Sequence, residues 1–521
     1  MQLPALNQHK ECHNHSDIQY EPLLNSTYDD ESVVDILKDE PGFSKYKVNN
    51  NRISHSFWKF LALFNGACLI IALYYIFVHI NSGSNKVTDE NSIYDIYEIE
   101  FTKPPMNYTR NYSSNIAEIW NDYFDGKRPE KLQCQKFFDD DKKAMSAYNS
   151  SGRLTATKEQ GLRLAMDCES IRRRVMGNNT YPKLERTIAV ARNVFMNYPL
   201  QEAFLSFAYH PDNFYCYVMD SKSNASFVKR MKALGKCMPN VFIMEKMFDM
   251  DSSGHYQDHG HFLCMKTLIE EDSKWQHILL LQNFDMIVRT MKEIVEMSKI
   301  FNGTQSIQVV GPIYGRYDNK ANWTPKGLKL WKNETGKTKA QLETKLDIGK
   351  GNNEAFLSRD FVEAIFKELN VDNILNKFND LERYGTDEML VHTLAINSWM
   401  GLSGQIPNHC HKSLKGFTRY TDWTFGKTAD GCKGKVRRHN VCLMGVEYLP
   451  RMKGYWEIAV NKVYPEYDFG SIMCMGEYLH NIEVGIAKRG FNTNPYKESP
   501  QVRQMELIRL GKYDAKNFKC S

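Results

Sequence analysis

Acidic side chains occur at the end of one predicted β-strand and at the start of one predicted α-helix. Asp220 ends the strand-like run NFYCYVMD, and Asp387 and Glu388 lie in YGTDEMLVHTL, where Thr386 is predicted to cap a helix. An Asp at the end of a buried strand can accept hydrogen bonds from a base or ribose, but it can equally cap the next helix or lie in a turn. A carboxylate at a rigid helix start is well held for general-base chemistry, although acids there also complement the helix dipole. Both positions are therefore candidates for function, each with a structural alternative.

Divalent metal binding is not favoured by the neighbouring sequence. The run HILLLQNFD, residues 277–285, ends in one carboxylate and two amides, which make a poor site for a hard cation. A D-x-D pair occurs at Asp249 and Asp251, but the residues that follow it are typical of an exposed loop. The nearby histidines fit no standard metal-binding spacing: His255, His259 and His261. From these residues we expect a site without a metal. In addition, no GxGxxG follows the first strand, so the dinucleotide-binding fingerprint is absent.

Strand-like and helix-like runs alternate through the middle of the chain. Predicted strands cover residues 187–191, 213–220, 240–244, 277–282 and 306–312, and predicted helices cover residues 200–209, 224–236, 261–271 and 290–301. This alternation predicts an α/β fold with a largely parallel, Rossmann-like sheet. In such sheets, ligands bind at the carboxyl ends of the strands, where Asp220 and the end of residues 277–285 lie. We expect one catalytic-sized domain over residues 186–480.

An uncharged run, FLALFNGACLIIALYYIFVHI at residues 60–80, predicts how the chain is anchored. At about 1.5 Å rise per residue it spans roughly 30 Å, the thickness of a bilayer core. A buried core helix and a signal peptide are the alternatives, but 59 residues precede the run and no small-residue cleavage site follows it. Basic residues cluster on its amino-terminal side: Lys45, Lys47, Arg52 and Lys59. The positive-inside rule therefore predicts a single-pass type II membrane protein.

That topology divides the rest of the chain. Residues 1–56 are polar and acidic and are predicted to be a disordered cytosolic tail, with a signal-anchor helix over residues 57–80. Residues 81–185 are predicted to be a lumenal stem and amino-terminal extension, in which residues 138–160 are typical of a loop, and residues 481–521 form a carboxyl-terminal extension. Eight N-x-S/T triplets follow the anchor and predict glycosylation: Asn107, Asn111, Asn149, Asn178, Asn224, Asn302, Asn322 and Asn333.

Cysteine usage and charge agree with a lumenal domain. The chain has twelve cysteines, of which ten follow the anchor, and no CxxC pair supports a zinc site. An oxidising compartment makes disulfides the natural expectation for these ten. The net charge is +5, and the part after residue 56 is mildly basic, which suits an anionic ligand. No Lys/Arg run indicates nucleic acid.

Several blocks, in this order and spacing, carry a resemblance to a known family. They are HPDNFYCYVMDSKSNASF, NVFI, HFLCMKTL, LLLQNFDMIVRTMKEIV, EAFLSRDFV, YGTDEMLVHTL, HNVCLMGVEYL and NKV. Over about residues 186–479 the chain resembles the core-2/I-branching β-1,6-N-acetylglucosaminyltransferases, a family that also contains peptide O-xylosyltransferases, and it is most similar to the divergent nematode branch. The resemblance implies a GT-A fold and inverting transfer from a UDP-sugar without metal or other cofactor.

The resemblance also implies roles for individual residues. Glu388 matches the family's catalytic base, and Asp220 the acid that contacts uridine. The family binds the diphosphate with basic side chains, one of which matches Lys462. The other is predicted at Arg438, although His439 lies closer to the family position and Arg437 is a lesser candidate.

The family resemblance also implies a disulfide pattern, but it gives less information on the acceptor region. The implied disulfides are Cys134–Cys474, Cys168–Cys237, Cys216–Cys264 and Cys432–Cys442, while Cys410 and Cys520 match nothing. The acceptor region, about residues 313–337, has no clear residue-by-residue counterpart. Arg316 and Trp323 are candidates to line an acceptor groove, and either can equally be a loop residue.

Two hypotheses of different kinds follow. The first is a Golgi glycosyltransferase that transfers N-acetylglucosamine from UDP-GlcNAc to a glycan or glycoprotein acceptor as a β-1,6 branch, with UDP-xylose as the alternative donor. The second is a non-catalytic glycan-binding protein on the same fold, which the departures from the family pattern at QNFDMIV and TDEM leave open. A homodimer is also left open. A hydrolase is disfavoured because no GxSxG motif is present.

Overall fold

The computed structural model describes residues 122–123, 129–156, 163–177, 181–271, 274–313, 315–406, 409–410, 414–424 and 432–520. The predicted cytosolic tail, the predicted anchor helix and most of the predicted stem lie outside these ranges. Within them, no helix combines the length and the apolar character that a membrane span requires.

A five-stranded sheet forms the centre of the fold. Its strands are β1 (Thr187–Val194), β2 (Phe214–Met219), β3 (Val241–Ile243), β4 (Trp275–Gln282) and β6 (Phe356–Ser358), in the spatial order β3-β2-β1-β4-β6. The first four strands are mutually parallel, with Val190 of β1 opposite Tyr215 on one side and Leu279 on the other, and β6 is antiparallel to β4. The predicted mixed α/β fold with a parallel central sheet is therefore present, and it is consistent with a GT-A-like domain.

Alternation along the central strand separates two hydrophobic clusters. Val190 of β1 belongs to one cluster and its neighbours Ala189 and Ala191 belong to the other. Because successive side chains of a strand face opposite sides of the sheet, the two clusters cover its two faces. Parallel strands buried on both faces read as continuous apolar runs, which is why TIAVA and HILLL signalled strands from sequence.

Helices cover both faces of the sheet. In chain order they are α1 (Cys134–Phe138), α2 (Lys142–Ser150), α3 (Cys168–Met176), α4 (Tyr198–Ala208), α5 (Ala225–Cys237), α6 (Gln257–Glu270), α7 (Met291–Ile300), α8 (Lys339–Glu343), α9 (Arg359–Glu368), α10 (Val371–Phe378), α11 (Leu390–Ile396), α12 (Leu449–Met452), α13 (Pro465–Glu483), α14 (Asn494–Lys497) and α15 (Pro500–Arg509). Local side chains fix where two of them start. Asn224 Oδ1 accepts a hydrogen bond from Phe227 N at the start of α5, and Thr290 and Glu293 form a capping box at the start of α7.

The remaining strands of the described residues form two smaller sheets. The first contains β5 (Met286–Ile287), β10 (Ala459–Asn461) and β7 (Arg419–Thr421), in that spatial order, and the second is a hairpin of β8 (Arg437–Arg438) and β9 (Val441–Cys442). The carboxyl-terminal half of the chain thus returns next to β4, because β5 follows β4 directly and pairs with β10.

Two local predictions are wrong. Residues 306–312 form no strand: Ser306 bridges Phe356 whereas Val310 bridges Lys350, so the segment crosses between two partners and no continuous ladder develops. Residues 138–160 are not wholly a loop, because α2 lies within them. Asp141 Oδ1 caps α2 by accepting from Ala144 N, and Tyr148 Oη donates to Asp468. The helix is stabilised by its own cap and by this tertiary contact, and its apolar residues Met145 and Tyr148 are buried on one side.

Disulfides tie distant parts of the domain together. The four pairs implied by the resemblance are present: Cys134–Cys474, Cys168–Cys237, Cys216–Cys264 and Cys432–Cys442. A fifth joins Cys410 to Cys520, the two cysteines for which the sequence suggested no partner. The fifth bond attaches the carboxyl-terminal extension to the rest of the fold.

Replacing both Cys410 and Cys520 with Ser is expected to lower the free energy of unfolding. The bond spans 110 residues, and in the chain-entropy model a loop of that size is worth about 3–5 kcal/mol. Chemical unfolding of the oxidised protein measures the change. Cys12→Ser is the matched control, because all ten cysteines after residue 80 are paired with one another and Cys12 is not among their partners. Equal stability of the double variant and the wild type would contradict the expectation.

The predicted glycosylation sites that lie in the described ranges are accessible to different degrees. Asn302 is half-buried and accepts a hydrogen bond from Arg186. Four are exposed: Asn149, Asn224, Asn322 and Asn333. Asn107, Asn111 and Asn178 lie outside the described residues. Glycosylation itself stays a prediction.

Candidate active site

The carboxyl ends of β1, β2 and β4 meet at one edge of the sheet, as parallel strands require. Asp220 follows β2, and its backbone N–H donates to Val194 O of β1 at 2.9 Å. Asp220 is 7% exposed, and its Oδ1 accepts from the backbone N–H of Lys222 at 2.9 Å and lies 3.1 Å from the Lys222 ammonium. The acid is thus held at the strand end by its own turn.

The segment after β4 uses its polar groups to hold the sheet edge together. Gln282 N donates to Asp285 Oδ2 at 2.6 Å, and Asn461 Nδ2 donates to Asp285 Oδ1 at 2.8 Å. Asn283 Oδ1 accepts from Phe195 N, which follows β1, at 2.9 Å. Asp285 is fully buried, and both of its carboxylate oxygens are engaged by protein donors. The residues at this position therefore do not fit a divalent metal.

The D-x-D pair and the three histidines also face separate protein partners. Asp249 pairs with Lys222, whereas Asp251 contacts the ring of His255 at 2.6 Å. His259 Nε2 contacts Asn376 Oδ1 at 3.2 Å, and His261 Nε2 contacts Leu281 O at 3.0 Å. In the described part of the chain, one group has the geometry to hold a metal, His409 with Cys410 and Cys520, and its two sulfurs form a disulfide.

Residues 384–388 form a short turn that we call the base turn. It contains a 3-10 turn over Thr386–Glu388 and precedes α11, which begins at Leu390. The prediction that Thr386 caps a helix is wrong, because its buried Oγ1 has no hydrogen-bond partner and Gly385 occupies the position before the turn. Gly385 has φ 69°, a left-handed conformation that reverses the chain and is strained for other residues.

Two cations meet the carboxylate of Glu388. Its Oε2 forms an ion pair with Arg316 Nη1 and lies 3.1 Å from Lys350 Nζ, and its side chain is 21% exposed. A Cβ added at Gly385 would collide with the Arg316 guanidinium, so a glycine is needed there for the ion pair as well as for the backbone. The carboxylate of the candidate base is therefore held by Arg316 and Lys350, and the sequence had linked neither of them to Glu388.

A second carboxylate lies directly behind Glu388. Burial, and next the negative charge of Glu388, raise the pKa of Asp387 to about 7. Gln282 Nε2 donates to Asp387 Oδ2 across 3.5 Å, which brings the base turn to the end of β4. Near neutral pH Asp387 is thus partly protonated, and this limits the repulsion between the two adjacent acids.

A cluster of basic side chains lies at the end of β10. Lys462 follows β10, and burial, together with the charges of Arg438 and Arg419, lowers its pKa to about 8. The Arg438 guanidinium carbon lies 5.1 Å from the ring centroid of Tyr464, close to Lys462. Neighbouring cations that lower the pKa of Lys462 form a site in which a bound anion would be stabilised.

Arg419 is the fixed cation beneath this cluster. It is buried and pairs with Glu354, and its Nη1 lies 3.4 Å from Asp285 Oδ1. Burial raises the pKa of Glu354 to about 8 although Arg419 opposes that shift. These buried charges connect the segment after β4 and the segment before β6 to β7, next to Lys462.

The hairpin distinguishes between the candidate arginines. Arg438 is half-buried over Tyr464, whereas Arg437, the preceding residue of the same strand, is exposed. His439 also lies in the cluster, because burial, followed by the charges of Lys462 and Arg438, lowers its pKa. Alternation along the strand thus puts Arg438 and Arg437 on different sides.

We expect Arg438→Ala to weaken UDP binding by about 10-fold and Arg437→Ala to leave it nearly unchanged, since a hydrogen bond to a charged group contributes about 1.5–3 kcal/mol. Titration calorimetry with UDP measures both variants under identical conditions, and the neighbouring arginine is the matched control. An equal loss in the two variants would indicate a general electrostatic effect and would contradict the assignment of Arg438.

Sequence comparison places this geometry in a family. A profile of the Core-2/I-branching enzymes matches residues 188–453, which is about half of the chain and includes both Asp220 and Glu388. The chain belongs to the Core-2/I-branching enzyme family. This family is a family of glycosyltransferases, and belonging to it implies a sugar donor and a glycan acceptor as substrates.

Individual members of the Core-2/I-branching family match over longer spans. The beta-1,3-galactosyl-O-glycosyl-glycoprotein beta-1,6-N-acetylglucosaminyltransferase 3 of Mus musculus is 26% identical over 347 residues, 62% of this chain and 76% of that protein. The Homo sapiens protein of the same name is 26% identical over 331 residues, 61% of this chain and 74% of its own length. A beta-1,3-galactosyl-O-glycosyl-glycoprotein beta-1,6-N-acetylglucosaminyltransferase of Bovine herpesvirus 4 is 25% identical over 333 residues, 61% of this chain and 74% of its own.

The two acceptor candidates have different surroundings in this Core-2/I-branching chain. Arg316 lies at the site, paired with Glu388 and 5.4 Å from the ring centroid of Tyr384, which is 56% exposed. Trp323 is only 1% exposed, packs 4.8 Å from the Phe378 ring centroid and donates its indole N–H to Asp318 O at 2.7 Å. This placement favours the alternative role for Trp323, a structural residue of its loop.

Sequence reasoning missed several charged residues of the site. They are Lys350 beside Glu388 and the buried pair of Glu354 and Arg419. Glu354 opens the EAFLSRDFV block but was given no role there, Lys350 and Arg419 lie in no block, and each meets its partner across a long stretch of sequence. The burial of charged side chains in an apolar run such as EAFLS is the one signal that could have marked Glu354.

Proposed function

We propose that this chain is an inverting glycosyltransferase that transfers N-acetylglucosamine from UDP-GlcNAc to a glycan acceptor as a β-1,6 branch, without a metal. The observation that carries the proposal is the placement of Glu388 and of the basic cluster around Lys462 at the same sheet edge. That edge is where α/β folds bind their ligands. The activity in the printed names of the matched relatives supports the choice of donor and linkage.

The reaction assigns one task to each side of the site. Glu388 takes the proton from an acceptor hydroxyl while that oxygen attacks the anomeric carbon of the donor. The new glycosidic bond forms on the face opposite the bond to phosphate, which breaks, and the bonding electrons leave with UDP. Lys462 and Arg438 stabilise the negative charge that develops on the diphosphate, and Asp220 contacts the uridine.

We also propose that the protein works on the lumenal side of the Golgi membrane, anchored by residues 57–80 as a type II protein. The five disulfides support an oxidising compartment for residues 134–520, since such bonds are rare in the cytosol. The predicted glycosylation sites follow the same topology. Protease protection of the domain in intact microsomes, with an exposed amino terminus, tests this orientation.

A non-catalytic glycan-binding protein is the second candidate. It is favoured by the two cations on Glu388, because Oε2 is already occupied by Arg316 and Lys350. An acceptor would then bind at the base turn without losing its proton. UDP-xylose in place of UDP-GlcNAc remains the alternative donor of the catalytic proposal.

UDP release by the full-length protein, purified in detergent with EDTA present, tests these proposals together. UDP-GlcNAc, UDP-xylose and UDP-galactose are each offered with a panel of O-glycan acceptors. Acceptor-dependent release from UDP-GlcNAc is the expected result, and NMR of the product reports the linkage. Activity that is lost in EDTA and restored by manganese would overturn the metal-free mechanism. UDP binding without release from any donor would favour the second candidate.

A further inference from the structure

We propose that His255, as a doubly protonated imidazolium, is a positioning residue that holds the base turn and thereby Glu388. The inference rests on the proposed function only in calling Glu388 the base. His255 lies in the β3–α6 loop, residues 244–256, and is 7% exposed. It belongs to no motif and contacts neither the basic cluster nor the carboxylate of Glu388.

Every polar contact of the His255 ring is with a hydrogen-bond acceptor. Nδ1 lies 2.6 Å from Asp251 Oδ2, while Nε2 lies 2.9 Å from Arg383 O and 3.2 Å from Asp380 O. A neutral imidazole has one N–H, so one of its nitrogens would face an acceptor with a lone pair. The imidazolium donates from both nitrogens and satisfies both sides. The geometry therefore selects the charged ring.

The residues next to His255 make hydrogen bonds and close contacts with the base turn. Ser253 O accepts from Gly385 N at 2.6 Å and from Thr386 N at 3.3 Å. Gly254 has φ 91°, and a Cβ added there would collide with the carboxylate of Asp387. Residues 253–255 thus hold the base turn at its backbone and at Asp387, and His255 holds residues 380 and 383 directly before it. Glu388 follows directly, so the position of its carboxylate depends on this contact.

The charges that face His255 favour its protonation. Burial lowers the pKa of His255, but the hydrogen bond and charge of Asp251 and the carbonyl groups of Arg383 and Asp380 outweigh burial, so the net shift is upward. Asp251 faces the ring from its own loop. From the other segment, the Asp380 carboxylate is neutralised by the Arg383 guanidinium at 2.6 Å. As pH rises through the raised pKa, the ring loses one donor and the contact weakens.

Hydrogen exchange of the peptide that covers residues 380–390 tests the proposal on the full-length protein without donor or acceptor. After correction for intrinsic rates, protection of this peptide should be about 10-fold greater at about pH 5.5 than at about pH 8.5, the ratio expected when one charge-assisted hydrogen bond is lost. His255→Gln should show the low protection at both pH values. Peptides from β1 and β4 verify that the fold is intact.

Asp251→Asn is the decisive variant, because it removes the need for the charge. Its amide can donate to a neutral Nδ1, so Nε2–H still donates to the carbonyl groups, and Oδ1 can still accept from Ser253 N as Asp251 does at 2.8 Å. Protection should therefore become high and independent of pH. His409→Gln, in an exposed histidine far along the chain, should keep the wild-type pH dependence.

Two outcomes would overturn the proposal: wild-type protection that does not change with pH, or a pH dependence that survives in Asp251→Asn. The kinetic arm distinguishes this failure from failure of the proposed function. Where transfer is measured at saturating UDP-GlcNAc, kcat should fall more steeply on the alkaline side in the wild type than in Asp251→Asn, while the rise in KM for UDP-GlcNAc that follows deprotonation of Lys462 should be the same in both. Absence of transfer would count against the proposed function alone, since the exchange result needs no turnover.

Discussion

Glu388→Gln is expected to abolish transfer while UDP binding changes little. The amide keeps the size of the side chain and can still contact Arg316 and Lys350, but it cannot take the proton of the acceptor hydroxyl. General-base catalysis contributes roughly 10²–10⁴-fold to rate, and we expect a loss of that size in kcat/KM. UDP release measures the loss, and calorimetry with UDP measures binding.

Glu382→Gln is the matched control for that variant. Glu382 lies on the same segment but is exposed and outside the base turn, so its replacement should preserve activity. Full activity of Glu388→Gln would show that another group removes the proton. A parallel loss of UDP binding would instead indicate that the variant disturbs the sheet edge.

Lys462→Gln is expected to have the second largest effect, on the donor. Removal of a half-buried cation from an anion site should weaken UDP binding by about 10–100-fold, from the 1.5–3 kcal/mol of a hydrogen bond to a charged group. Lys462→Arg should retain most of the affinity because the charge is kept, and Lys512→Gln, at an exposed lysine, should retain all of it. Calorimetric titration with UDP compares the three variants.

The pH dependence of UDP binding follows from the same lysine. Its pKa is lowered to about 8, first by burial and then by Arg438 and Arg419, and the protonated form is the one that attracts the diphosphate. Affinity should therefore be steady below that pKa and fall as pH rises through it. In Lys462→Arg the decline near pH 8 should disappear, since an arginine stays protonated. A decline that is identical in wild type and Lys462→Arg would assign it to another group.

Much of the fold was predictable because its signals are local. Apolar runs bounded by turn residues marked β1, β2 and β4, and apolar residues at helical spacing marked α5, which Asn224 caps in the structure. Two of the wrong predictions concern segments with tertiary partners. Residues 306–312 have strand character but divide their hydrogen bonds between two partners, and α2 adds to its local cap a contact between Tyr148 and Asp468, far along the chain. Local pattern cannot report either kind of partner.

The local sequence pattern determined the class of the fold and the strand ends at which polar residues such as Asp220 gather, whereas the roles of Glu388 and Lys462 were implied by the family resemblance. The tertiary structure decided which groups those residues meet. It paired Glu388 with Arg316 and Lys350, and it set His255 between acceptors from two segments. The physical reason is that periodicity and capping depend on neighbours within a few residues, whereas ion pairs and ring contacts depend on strand order and loop path, which bring distant residues together only in the folded chain.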